Sequence, residues 1–191
     1  MNAITLRCSR RTSRGFTLSE VMIAGTFGAI VIAGVLSTFL ALGRNSQRLF
    51  YYNGMEAESR RTLEEFAQDV RMASDSVYNS STSVTLTVPD NYTATANMVT
   101  YAYGSATLNG TTYDDCFYRR PGTTSSTVDP VILIKNVTQC TFSRFDVLGN
   151  STTSDTATKR LELTLRVSNT RNTLVASTDN IVSATYLLRN K

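Results

Sequence analysis

A single glutamate stands at the head of a long uncharged run. Glu20 is followed by Val21–Gly43, in which no Asp, Glu, Lys or Arg occurs. An ionised carboxylate in hydrocarbon costs several kcal/mol, so Glu20 needs a partner. Upstream, Gly15 offers the small residue a processing peptidase would use. An ordinary secretory signal carries that residue after its apolar stretch, and here it comes before. A cut after Gly15 therefore keeps the apolar segment in the mature chain. It also creates a new amine at Phe16, a cation that can pair with Glu20.

Other chemistry is poorly supplied. The chain has no histidine, which removes the usual general base and metal ligand. It has no Gly-rich phosphate loop, no Gly-x-Ser-x-Gly elbow and no Ser-x-x-Lys motif. Asp114 and Asp115 are adjacent, so on a strand they point to opposite faces and make poor paired carboxylates. With Asp146 and Asp155 they offer the hard oxygens calcium takes, but their spacing forms no ligand loop. They read as surface turn residues. No enzymatic activity, cofactor or metal is expected.

The uncharged run sets the topology. A bilayer core of about 30 Å needs about 20 apolar residues as a helix, so Val21–Gly43 spans it. Arg7, Arg10, Arg11 and Arg14 precede the run, which places residues 1–15 in the cytoplasm and the chain after Arg44 outside. Removing residues 1–15 changes the charge balance. The whole chain has 19 basic and 15 acidic residues, and four arginines but no acid lie in the leader, so the remainder is neutral. The basic pI belongs to the leader and gives no reason to expect nucleic-acid binding.

Cys8 falls in the leader, with Arg7 where a lipoprotein site needs a small residue. Cys116 and Cys140 fall in the exported part, where an oxidising compartment favours a disulfide. Closing a loop of that length is worth about 3 kcal/mol in the chain-entropy picture. Two cysteines without a histidine make a weak zinc site.

The elements that position these residues follow from periodicity. No proline occurs before Pro89, and Leu49, Tyr52, Leu63, Phe66, Val70, Ala73 and Val77 recur at helical steps. Glu56 and Ser59 interrupt that stripe. Residues 44–60 therefore read as a solvated neck and 61–78 as the buried face of a helix running from 17 to 79. From residue 80, Ser, Thr, Asn and Gly become frequent and short β-rich runs appear: 83–88, 98–103, 116–119, 131–137, 139–146, 160–167 and 181–188. Between them, 79–83, 104–112, 121–129 and 150–158 read as polar loops. Leu161, Leu163, Leu165 and Val167 alternate with polar residues, as one buried sheet face requires. The Asn-x-Ser/Thr triplets at Asn136 and Asn150 reflect that Ser/Thr-rich composition. The fold class is α+β, and residues 80–191 suffice for one small antiparallel domain.

Gly15, Phe16, Thr17, Leu18 and Glu20, followed by Val21-Met22-Ile23, resemble the N-terminal motif of the type IV pilin and type II pseudopilin superfamily. The resemblance implies a leader, residues 1–15, removed by a prepilin peptidase. It implies that Phe16 is the mature, N-methylated terminus, and that Glu20 pairs with the N-terminus of a neighbouring subunit during filament assembly. It also implies a pilin-like architecture: a membrane and assembly helix over 16–43, its extracytoplasmic half over 44–79, and a β domain over 80–191. The partners it implies are the peptidase, other pilin or pseudopilin subunits and the bacterial inner membrane, with the C-terminal domain in the periplasm. The segment Ala67-Gln68-Asp69-Val70-Arg71-Met72-Ala73 and the ending Ser183–Asn190 look like those of W-type minor pilins, with J-type minor pseudopilins close behind. Asp69 and Arg71 themselves read as solvated charges forming a local pair worth tenths of a kcal/mol. A signal-anchored extracytoplasmic binding domain is the reading from a different class.

Overall fold

The computed structural model describes residues 15–169 and 178–191. Arg7, Cys8, Arg10, Arg11 and Arg14 of the expected leader lie outside the described residues. Among the described residues one α-helix, α1 (Leu18–Met72), is followed by eight strands, with a short 3-10 helix at Thr93–Thr95. The chain divides into two units between Asn45 and Ser46.

In the first unit every described side chain is exposed. Its two threonine hydroxyls within the helix bond back to the backbone: Thr26 Oγ1 donates to Ile23 O at 2.8 Å and Thr38 Oγ1 to Gly34 O at 3.0 Å. No hydroxyl of either threonine is left demanding water, which suits an apolar medium.

The second unit holds the rest of α1 and two antiparallel sheets. The first sheet is a meander of β1 (Asp75–Ser80), β2 (Ser83–Thr87), β3 (Met98–Leu108), β4 (Thr111–Pro121) and β5 (Val131–Ile134), in that order. The second is a meander of β6 (Val137–Phe145), β7 (Arg160–Asn169) and β8 (Thr178–Leu187). Expected alternation is realised in β7, where Leu161, Leu163, Leu165 and Val167 are buried; in β2, Val84 and Leu86 are buried as expected, but Thr85 between them is buried as well, bonded to Thr100. The structure thus has an α+β architecture in which the helix packs on antiparallel sheet.

Several boundaries differ from expectation. The helix ends at Met72 rather than 79, and the β region begins at Asp75 rather than 80. The Ser74-Asp75-Ser76 run explains it. Ser74 N donates to Thr87 O at 2.8 Å and Ser76 N to Asp75 Oδ1 at 2.8 Å, so local and cross-strand bonds replace another helical turn. Val77 consequently sits on β1 and is exposed. Residues 104–112 form most of a hairpin, because β3 runs on to Leu108 and β4 starts at Thr111. The run 131–137 is broken at Asn136, whose φ of 58° turns the chain from one sheet into the other.

The buried helix face also starts earlier and carries more polar residues than the stripe implied. Met55, Ser59, Thr62, Phe66, Asp69 and Val70 are buried, whereas Leu49 and Tyr52 are exposed. Phe66 is the centre of the core. Its ring lies 5.0 Å from Tyr101 of β3, 5.8 Å from Phe142 of β6 and 5.5 Å from Tyr186 of β8. One helical side chain therefore bridges both sheets. A second joint lies at the surface, where the Arg144 guanidinium sits 3.9 Å over the Tyr78 ring and 2.5 Å from Asp155 Oδ1. Tyr78 Oη donates to Phe142 O at 3.1 Å, tying β1 to β6.

Candidate functional site

Glu20 occupies the first turn of α1. Helix N-termini leave backbone N–H groups without intrahelical acceptors. Thr17 and Glu20 meet that need reciprocally. Glu20 N donates to Thr17 Oγ1 at 3.3 Å, while Thr17 N donates to Glu20 Oε2 at 2.9 Å. Thr17 Oγ1 also donates to Glu20 Oε2 at 2.9 Å. This is a capping box, and the spacing Thr17-x-x-Glu20 carries it in the sequence; the periodicity reading passed over it. Gly15 and Phe16 precede the helix and are exposed, with open space around Gly15. The structure therefore brings Gly15, Phe16 and Glu20 together at one exposed helix end. Among the described residues, α1 is the one helix long and apolar enough to cross a membrane.

Asp69 lies elsewhere, and its placement corrects the expected solvated face. It is buried, and it accepts hydrogen bonds from Tyr92 Oη at 2.7 Å, Tyr101 Oη at 2.7 Å and Asn91 Nδ2 at 3.2 Å. Arg71, by contrast, is exposed in the last helical turn. Burial first, and then the Asp69 carboxylate, hold both phenols well above their ordinary pKa, so they remain donors. Arg119 flanks the cluster, 6.0 Å from the Tyr92 ring centroid and 3.5 Å from Glu65 Oε2. The arrangement contains no free nucleophile. It ties the β2–β3 loop, through Asn91 and Tyr92, to the helix. A helical-period pattern could not reveal it, because the tyrosine donors come from residues 23 and 32 positions away.

Cys116 and Cys140, the expected pair, are buried free thiols in the structure. Cys116 sits beside the irregularity between β3 and β4, where its Sγ donates to Gly104 O at 3.1 Å. That contact directs the sulfur to the neighbouring backbone. Burial raises both thiols, Cys140 to about 12. An unfolded thiol ionises near about 8.5, so the stability contributed by keeping Cys140 protonated is complete below that pH. It declines as pH rises from there toward about 12. In the reduced protein at pH 8, Cys140 is expected to resist iodoacetamide until denaturant is added. Equal labelling rates before and after denaturation, followed by mass spectrometry, would contradict this burial.

The aspartates proposed as calcium donors are dispersed and locally engaged. Asp114 accepts from Ser105 Oγ at 2.6 Å, Asp115 from Tyr103 Oη at 3.3 Å, Asp146 from Asn150 N at 2.8 Å, and Asp155 pairs with Arg144. Among the described residues no group of three such side chains converges.

Comparison with known proteins gives no further constraint: no family model, no curated protein and no solved structure matches the chain.

Proposed function

We propose that the chain is a minor pilin or pseudopilin, a structural subunit cut after Gly15 and assembled through its N-terminal helix into a type IV pilus-like filament. The observation carrying this reading is the glutamate held at the first turn of an exposed apolar helix, immediately behind Gly15-Phe16. Insertion of that helix in the inner membrane, with the second unit in the periplasm, stores the subunit before assembly. Prepilin peptidase and other filament subunits are its partners. The 67–73 segment and the chain ending favour a W-type pilus subunit, with a J-type subunit of a type II secretion pseudopilus as the alternative.

The capping box makes the test sharper. Glutamine can close a capping box as glutamate does, but it carries no charge. If Glu20 works by pairing with a neighbour's N-terminal amine, Glu20→Gln and Glu20→Ala should both vanish from sheared filaments. Thr17→Ala, which costs the helix about 0.5–2 kcal/mol but keeps the charge, should still be incorporated. The mature chain should begin at N-methylated Phe16 by mass spectrometry. An uncut chain that functions normally with alanine at position 20 would leave the signal-anchored domain as the better reading.

A further inference from the structure

Residues 48–52 of α1 were expected to form part of a solvated neck, and their composition does not suit one. Phe50 is 77% exposed and Leu49 63% exposed, beside Arg48, the exposed Tyr52 and the half-buried Tyr51. The Phe50 and Tyr51 rings meet edge to face, with centroids 6.1 Å apart. A cleft of about 180 Å³ opens beside them, between Phe50, Tyr51 and Met55 of the helix and Lys135, Asn136 and Val167 of the strand region. The cluster thus combines exposed aromatic and aliphatic surface with the exposed cation Arg48, while the Lys135 ammonium at the far side of the cleft lies 4.2 Å over the Tyr113 ring.

That combination is what the boundary between hydrocarbon and water selects. Aromatic rings place an apolar body toward acyl chains and a polar edge toward headgroups. Arginine and lysine extend apolar stems and leave their charge at the phosphates. In the sequence, Arg48–Tyr52 begins only five residues after Gly43, the end of the uncharged run. Helical rise over that interval is about 8–14 Å, against headgroup layers about 5–8 Å deep, so Arg48 reaches the outer edge of the layer and Phe50 enters it at a tilt of about 40°, the upper end of the range for membrane helices. A protein-facing patch would not need to follow a membrane run so closely.

We propose that Arg48–Tyr52 forms an aromatic and cationic collar that rests in the phospholipid headgroup layer and sets the depth at which α1 sits in the bilayer. The proposal rests on the reading of Val21–Gly43 as a membrane span. The collar acts on the stored subunit, before assembly draws the helix out of the lipid.

The chain contains no tryptophan, so each introduced tryptophan is a single reporter. Three full-length variants, Phe27→Trp, Phe50→Trp and Leu148→Trp, are reconstituted in phosphatidylethanolamine–phosphatidylglycerol vesicles. Phe27 lies within the span and Leu148 is an exposed residue of the second unit. The collar predicts that Phe50→Trp emits to the blue of Leu148→Trp. It also predicts quenching about twofold stronger by a nitroxide near the headgroup than by one near the acyl-chain terminus, with the reverse order for Phe27→Trp. Phe50→Trp emission matching Leu148→Trp, with Phe27→Trp quenched normally, overturns the collar alone. An unquenched Phe27→Trp overturns the span and the collar together. Blue emission at Phe50 that no nitroxide lipid quenches assigns the patch to a protein contact and also overturns the collar.

Discussion

Replacing Phe66 with alanine is expected to remove about 3–5 kcal/mol of stability, the usual loss for a buried aromatic ring. Phe66 has no exposed surface and touches Tyr101, Phe142 and Tyr186, which belong to three different strands. The cavity cannot close by a shift of one sheet, because the ring is shared by both. Total stability of a domain this size is of order 5–15 kcal/mol, so the variant sits near the edge of folding. Urea unfolding of the full chain in detergent, followed by near-ultraviolet tyrosine circular dichroism, measures the loss. Phe66→Leu should recover more than half of it. A loss under about 1 kcal/mol for the alanine variant would mean that the helix does not hold the sheets together through this ring.

Asp69→Ala is expected to cost about 2–4 kcal/mol, chiefly because it strands donors rather than because it removes attraction. Tyr101 is completely buried, and without Asp69 its hydroxyl loses its 2.7 Å acceptor and keeps the weaker contact to Glu65 O at 3.5 Å. Tyr92 loses its acceptor as well. The single change Tyr101→Phe removes a donor and leaves Asp69 bonded to Tyr92 and Asn91, so it should cost about 1–2 kcal/mol. Hydrogen exchange gives the local readout. Amides of residues 90–97 should lose protection in Asp69→Ala while those of β7 keep theirs. Uniform loss of protection across both regions would show that the cluster does not act as a local clasp.

The strands with strict alternation were legible from sequence because burial on one sheet face imposes a period of two. Arg160–Val167 lies within β7 with its alternation kept, whereas β2 (Ser83–Thr87) matches in position but buries Thr85 on its other face as well. The helix face was legible at Phe66 and Val70 and obscure at Ser59, Thr62 and Asp69. Small hydroxyls and one acid occupy buried positions there, so residue type misreports depth. The extension of β3 and β4 into 104–112 was hidden because Gly, Ser, Asn and Thr there read as loop, whereas cross-strand pairing holds them as a hairpin. Gly15, Phe16 and Glu20 stand out as candidates because the chemistry of a charge against an uncharged run is local. The Asp69 cluster does not, since its partners meet only through tertiary structure.

Both sheets are meanders, so nearly every strand pairs with its immediate neighbour in the chain. Such pairings can form as soon as each successive hairpin becomes available, with little entropy spent closing long loops. Closing the core is different. Tyr186 donates to Leu63 O across 123 positions, and its ring covers Phe66 from the last strand. The buried face of α1 is therefore synthesised before the strands that cover it, and its cover is complete only with β8. Tyr101 of β3 and Phe142 of β6 cover that face in stages, and a ribosome stalled before β8 would leave the side of Phe66 that Tyr186 covers open to chaperones and proteases even with the first five strands already paired.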